Sequence, residues 1–125
     1  MADLKESLPI YIRIVEGIKE HILTKDLKEE SQLPSTTYLS KEYKINIATV
    51  NKAMNILVNE GYAYKKRGIG IFVKKGAVAK LVNERRKTFR ERYIQATLVE
   101  ASRLNYSIDE LQQIVGEEYQ KLHKK

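Results

Sequence analysis

Residues 31–73, SQLPSTTYLSKEYKINIATVNKAMNILVNEGYAYKKRGIGIFV, set two short helical patterns on either side of a tight turn and follow them with a glycine-tipped basic hairpin. A helix pair of this size cannot bury its own apolar stripe, so a third helix and a small sheet must lie beside it. The surface left over carries Ser, Thr, Asn and Lys at one helix start, and Lys65, Lys66 and Arg67 beside Gly68. Hydroxyl, amide and ammonium groups so arranged suit a phosphate backbone and a groove better than a small substrate.

The residues upstream supply the third helix. From Ile10 to Leu23, Tyr11, Ile14, Val15, Ile18 and Ile22 recur at i, i+3, i+4, i+7 and i+11, one face of a helix. Pro9 suits its first turn, because the N–H that proline lacks has no helical partner there. Leu27 and Leu33 anchor the polar connection that follows. Pro34 disfavours helix at Leu33, which leaves Ser35 to cap a short helix from Thr36 to about Tyr43. Lys44-Ile45-Asn46 makes the turn, and Asn46 is the next N-cap. A second helix runs from Ile47 to about Glu60, with Val50, Ala53, Met54, Leu57 and Val58 turned inward. Gly61 supplies a left-handed stop. Tyr62 to Lys66 and Ile69 to Lys74 then read as strands around Arg67-Gly68-Ile69-Gly70. The predicted class is mainly α with a small β-hairpin: a winged helix-turn-helix over residues 1–75.

Residues 76–125 return to helical periodicity. Val78, Val82, Phe89, Tyr93 and Ala96 fall near one stripe, which Leu81, Leu98, Ala101 and Leu104 widen. Leu104-Asn105-Tyr106 breaks it. Ser107-Ile108-Asp109-Glu110 has the form of a capping box, and Ile108, Leu111, Ile114, Val115, Tyr119 and Leu122 follow at helical spacing. About fifty residues arranged as a helical hairpin bury little alone. Their apolar face has two uses: packing on a second copy, or folding back on the first domain. The expectation is a dimerisation surface that includes Val82, Phe89, Tyr93, Leu98, Leu111, Ile114 and Val115, two-fold dimers being the commonest assembly. Paired recognition helices would then read half-sites about one turn of duplex apart.

Charge is concentrated in the same way. The net charge is +7, yet residues 1–64 are close to neutral. Residues 65–75 carry Lys65, Lys66, Arg67, Lys74 and Lys75 with no acid, and Arg85, Arg86, Lys87, Arg90 and Arg92 follow. Such clustering is the footprint of a polyanionic partner; a solubilising surface is the other reading of the same residues. With 31% charged and 42% hydrophobic residues the chain should fold. Its 125 residues allow one core, or one small domain and an appendage. The absence of cysteine excludes disulfide frameworks, thiolate zinc sites and cysteine nucleophiles. No apolar run approaches the roughly 20 residues that span a bilayer, and MADLKESLP has no signal-peptide core. The expected location is cytoplasmic, with no membrane partner.

Pro9-Ile10-Tyr11, Leu33-Pro34-Ser35, Ile45-Asn46, Ala48-Thr49-Val50, Ala53, Leu57, Glu60-Gly61-Tyr62 and Gly68-Ile69-Gly70-Ile71-Phe72-Val73, at this joint spacing, resemble the GntR family of bacterial transcriptional regulators. A short two-helix tail is similar to the YtrA subfamily, whose members are dimeric repressors often linked to ABC transporter operons. The resemblance thus implies a homodimeric repressor that binds double-stranded DNA at a palindromic operator, with such an operon as its target. Ser35, Thr49, Lys52 and Gly68 match positions that contact DNA in the family. Family members commonly carry arginine at the positions of Thr37 and Asn51, and some branches do so at Ile47; this chain has none of the three. Arg is the usual bidentate reader of guanine, whereas Asn reads adenine and Thr touches phosphate or a thymine methyl. Half-sites richer in A·T than is usual for the family are therefore expected.

Roles follow from the chemistry of each group. Ser35 and Thr36, with Thr37 beside them, lie at a helix start, where N–H groups and the helix dipole favour a phosphate. Asn46, Ala48, Thr49, Asn51 and Lys52 form the outer side of the recognition helix. Lys65, Lys66, Arg67 and Gly68 form the wing, which would follow the backbone or enter the minor groove. Ser35 and Asn46 are helix caps on any reading, with DNA contact in addition. Thr49 and Asn51 would otherwise belong to an ordinary solvated face. Tyr38, Tyr43, Tyr62, Tyr64, Tyr93, Tyr106 and Tyr119 read mostly as core-edge aromatics, and His21 and His123 as surface or helix-end residues rather than metal ligands. No cofactor or metal is expected. The chain also lacks the nucleophile–base set, metal cluster or phosphate loop of an enzyme. A winged-helix module for nonspecific nucleic-acid binding or protein contact is the alternative function. A repressor must release DNA when conditions change, so a small-molecule effector of unnamed chemistry is a further expected partner, placed between the tail and the winged domain near Phe89 and Tyr93.

Overall fold

Ser35 fixes the start of the helix-turn-helix: its backbone is extended, at φ −65 and ψ 155, and its hydroxyl accepts a hydrogen bond from the amide of Tyr38. The structure is a computed structural model in which residues 7–124 are described; residues 1–6, at the head of the first predicted domain, and Lys125 lie outside the described residues. In chain order the elements are α1 (Ile10–Leu23), α2 (Thr36–Tyr43), α3 (Ile47–Asn59), β1 (Ala63–Lys66), β2 (Gly70–Val73) and α4 (Ala77–Thr88). A π-helical turn (Phe89–Ile94), α5 (Gln95–Arg103) and α6 (Ile108–Leu122) follow. The architecture is mostly helical with one antiparallel hairpin, as the pattern predicts.

Three helices end by the same device. In each, a left-handed residue lets two successive amides turn back onto carbonyls of the last turn, which satisfies groups the helix leaves open. At the end of α3, Gly61 (φ 84) donates to Val58 and Tyr62 to Leu57. At the end of α2, Lys44 (φ 55) donates to Lys41 and Ile45 to Ser40, which makes the tight turn without a glycine. At the end of α5, Asn105 (φ 62) donates to Ser102 and Tyr106 to Ala101. Directly after it, the predicted capping box of α6 is present: Ser107 Oγ accepts from the Glu110 amide at 3.1 Å, and the Ser107 amide donates to Glu110 Oε1 at 2.9 Å.

Ala63 pairs with Val73, Tyr64 with Phe72, Lys65 with Ile71 and Lys66 with Gly70. The segment before α2 adds a third edge to β2. Glu30 donates to Val73 and Leu33 to Ile71, both at 2.8 Å, and Val73 returns a bond to Ser31. One apolar core unites these parts: Ile14, Val15, Ile18 and Ile22 from α1, Leu39 from α2, Val50, Ala53, Met54 and Leu57 from α3, and Tyr62, Ala63 and Val73 from the hairpin. Ala77 and Leu81 of α4 belong to the same core. The chain divides into two compact units, Met1–Asn83 and Glu84–Lys125, so that the first turns of α4 pack with the winged domain. Among the described residues, no helix is long and apolar enough to cross a membrane.

Glu29 holds the start of α4. Its Oε2 accepts from the Val78 amide at 3.0 Å, and hydrogen bonds from the Gly76 and Val78 backbone hold its carboxyl below the usual range. A depressed folded-state pKa contributes stability that is present above the ordinary carboxylate value and lost as pH falls through the folded one. The Glu110 carboxyl, lowered by the Ser107 backbone amide, has the same sign. Acidification should therefore lower the melting temperature, and Glu29→Gln should flatten that slope while it reduces stability at neutral pH. Thermal melts across a pH series measure both; parallel curves for the two proteins would contradict the role of Glu29.

The second unit has no comparable core. Among its described residues Ala101 is the one buried side chain, and Phe89, Tyr93, Ile94, Leu98, Val99, Val115 and Tyr119 are exposed. The expectation of core-edge tyrosines is corrected here: Tyr38, Tyr43, Tyr93, Tyr106 and Tyr119 are exposed, and Tyr62 alone is fully buried. The reason is local. Short α2 turns only Leu39 fully inward, and the tail offers its aromatics little to pack against. The apolar stripe also does not follow one uninterrupted α-helix, since the π turn at Phe89–Ile94 widens the coil and moves later residues around the axis.

Candidate nucleic-acid interface

The start of α2, the front of α3 and the tip of the hairpin enclose an open cleft of about 330 Å³. Ser35, Thr36, Asn51, Lys65, Lys66 and Gly68 line it, so residues up to 33 positions apart in sequence meet on one surface. Helix packing explains the meeting. The buried stripe Val50, Ala53, Met54 and Leu57 presses α3 onto α1 and β1 and turns Ala48, Asn51, Lys52 and Asn55 outward. The cap on α2 leaves the amides of its first residues directed out of the helix, a concentration of partial positive charge.

Each remaining predicted residue has a definite place. Thr37 is exposed on α2. Asn46 caps α3, its Oδ1 accepting from the Ala48 amide at 2.9 Å. Thr49 is half-buried, and Arg67 is exposed at the hairpin tip. Lys52 is held away from the cleft, with its ammonium 3.9 Å from the centre of the Tyr11 ring on α1. Lys66 is also placed by aromatics: its Nζ lies 4.4 Å from the Phe72 ring centre, on the outer face of the hairpin where Tyr64 and Phe72 stack at 5.8 Å. Tyr64 Oη donates to Glu30 Oε2 at 2.8 Å, which holds its phenol above the usual range.

Sequence reasoning missed Gln32, which bridges to Phe72 and whose side-chain amide donates to the Ile69 carbonyl at 3.2 Å. The wing tip is thereby fastened to the segment that leads into Ser35. Gly70 makes the contact fit, because its φ of 154 is one that side chains avoid and a β-carbon there would strike the Gln32 amide. A contact across 37 positions leaves no local signal. Also missed was the exposure of two apolar side chains here, Ile47 at 45% and Ile69 at 65%. Ile47 follows the helical spacing of Val50, Met54 and Leu57, so its exposure at the helix start left no signal in the sequence.

Residues 10–73 match the sequence model of the bacterial regulatory proteins, gntR family. The chain belongs to the GntR family. Residues 10–73 carry the family's winged-helix DNA-binding fold, and family members are transcriptional regulators, not enzymes. Among curated GntR relatives, the HTH-type transcriptional repressor NagR of Bacillus subtilis is 38% identical over 68 residues, which is 54% of this chain and 28% of NagR. The chain thus spans little more than a quarter of that relative. The HTH-type transcriptional repressor YtrA of the same organism is 29% identical over 115 residues, 92% of this chain and 88% of YtrA. A crystal structure of a GntR-family regulator from Bacteroides thetaiotaomicron superposes with a TM-score of 0.73 at 30% identity, over 91% of this chain and 99% of that one. The chain is a YtrA-like GntR regulator, and the similarity extends through its C-terminal helices.

Proposed function

We propose that this GntR-family chain is a homodimeric repressor that binds a palindromic operator through the cleft between α2, α3 and the wing. The observation that carries the reading is the gathering of Ser35 and Thr36 at a helix start, Asn51 on α3, and Lys65, Lys66 and Gly68 on the wing around one opening. A helix start and ammonium groups suit phosphates, and an exposed amide on the recognition helix suits adenine. Thr37, Asn46, Ala48, Thr49 and Arg67 extend the same surface, and Lys52 joins it by leaving the Tyr11 ring. The exposed apolar residues of the second unit support the dimer, which would set two such surfaces on successive turns of duplex. Residues 76–125 are the dimerisation and effector region in this reading. An effector that binds near Phe89 and Tyr93 would release the operator by favouring one dimer geometry over the other. The similarity to YtrA over 92% of this chain supports the subfamily reading, and with it the ABC transporter operon that the resemblance implies as the regulated target.

The test is the salt dependence of binding to an operator recovered by selection from random duplexes. Lys66→Ala and Arg67→Ala should each weaken binding and lower the slope of log affinity against log salt by about one unit for every phosphate left without its cation. Binding of the parent protein should survive excess competitor DNA at physiological salt. Unchanged slopes for both variants, or equal affinity for scrambled duplex, would contradict the proposal.

A further inference from the structure

Ile47 is the first residue of the recognition helix, and 45% of its surface is open to water. Its neighbours do not cover it. The Asn46 side chain is turned back to cap the Ala48 amide, and Ala48 is exposed and carries only a methyl group. The core begins one turn further on, at Val50 and Met54. Side chains on a helix lean toward its N-terminus, so Ile47 projects ahead of α3, at the end that leads into a groove. Asn51 stands one turn behind it on the same side of the helix and lines the cleft.

A branched apolar group so placed at the entering end of the helix fits an apolar counterpart in the groove. The floor of the major groove presents hydrogen-bonding atoms at every base pair, and in unmodified DNA its one apolar projection is the C5-methyl of thymine. We propose that Ile47 is a specificity-determining residue that packs against a thymine methyl in each half-site. The inference rests on the operator reading above and deepens it. An amide at Asn51 fits the N6 and N7 edge of adenine, so the two side chains of one helix turn both select A·T pairs, by hydrogen bonds in one case and by a methyl contact in the other. Consecutive turns of the helix are about 5.4 Å apart and base pairs about 3.4 Å, which places the two contacts at adjacent or next-adjacent steps.

Deoxyuridine differs from thymidine at the reading edge by that methyl alone, and provides the test. In the selected operator each thymine is replaced by uracil in turn, and affinities are measured for the unsubstituted protein, Ile47→Val and Ile47→Ala. One thymine per half-site should respond, with a loss of about fourfold in affinity for each methyl, the equivalent of one buried methylene, and about fifteenfold when both half-sites are changed. Ile47→Val should retain the response, and Ile47→Ala should bind thymine and uracil operators equally, with the affinity that the unsubstituted protein has for the uracil form. The exposure of Ile47 keeps the fold out of the comparison, which unchanged melting temperatures would verify. If the protein prefers its operator but ignores every uracil, or if Ile47→Ala still discriminates, the methyl contact is wrong and the operator reading stands. If scrambled duplex binds as well as the selected one, both are wrong.

Discussion

Leu57→Ala is expected to destabilise the winged domain by about 2–5 kcal/mol, the cost of deleting a fully buried leucine and leaving a space behind it. Leu57 has no exposed surface, and it lies where α3 meets α1 and β1. Its carbonyl also receives the Tyr62 amide that closes α3, and the Tyr62 ring is buried in the same core. A cavity here would loosen three junctions together: the recognition helix on α1, the helix end at Gly61, and the start of the wing. In a unit of this size about 1 kcal/mol corresponds to roughly 4–8 °C in melting temperature, so a fall of roughly 8–40 °C is expected by calorimetry. Leu57→Met, which preserves volume, should cost less than about 1.5 kcal/mol. Below the melting transition Leu57→Ala should still bind operator with an unchanged salt slope, because it takes no cation away from a phosphate. A shift of only a few degrees would show that the core does not run through this point.

The first unit was legible because its signals are local. Pro34 and Ser35 mark the start of α2, the stripe from Val50 to Leu57 gives the inward face of α3, and Glu60-Gly61-Tyr62 closes that helix. In each case the atoms that decide the structure lie within a few residues of one another. The third edge of the sheet was not legible. It depends on Glu30, Ser31 and Leu33 meeting β2 across a long loop, and polar residues such as Gln32 have no periodicity that would announce a partner. The burial of Ala77 and Leu81 in the winged domain was hidden for a related reason: both fit the stripe of a long C-terminal helix, and only packing shows which end of that stripe the first core claims. The π turn was hidden as well, because Phe89 and Tyr93 satisfy an α-helical i, i+4 spacing whether or not the coil widens between them. Around the cleft, charge and hydroxyl groups pointed to Ser35, Thr36, Asn51, Lys65, Lys66 and Gly68. The same reasoning passed over Ile47 and Ile69, since a search for hydrogen-bonding groups discards apolar ones.

Phe89→Glu combined with Tyr93→Glu should convert the dimer proposed here into monomers and lower operator affinity on the order of 10²–10⁴-fold. The rings stand 6.0 Å apart at a tilt, each about half exposed, in a unit with almost no core of its own. Two carboxylates placed there on each copy would face the same groups on the other across a two-fold axis, where apolar burial turns into charge repulsion. The loss in affinity follows from linkage. Once one half-site is occupied, the second binding event is intramolecular, and its effective concentration multiplies the affinity by about that factor without any added contact. Removing the link leaves each winged domain with its own half-site, so the variant should also show a salt slope of about half the parent value. Sedimentation equilibrium gives the mass of both proteins, and operator titrations give the affinities. The competing arrangement, in which the tail packs on its own winged domain, predicts something different: a monomeric parent, and a variant with a lowered melting temperature for the winged domain but an unchanged mass. A parent protein that sediments as a monomer at every concentration used for binding would end the dimer proposal and leave the tail's apolar face to be explained by folding back.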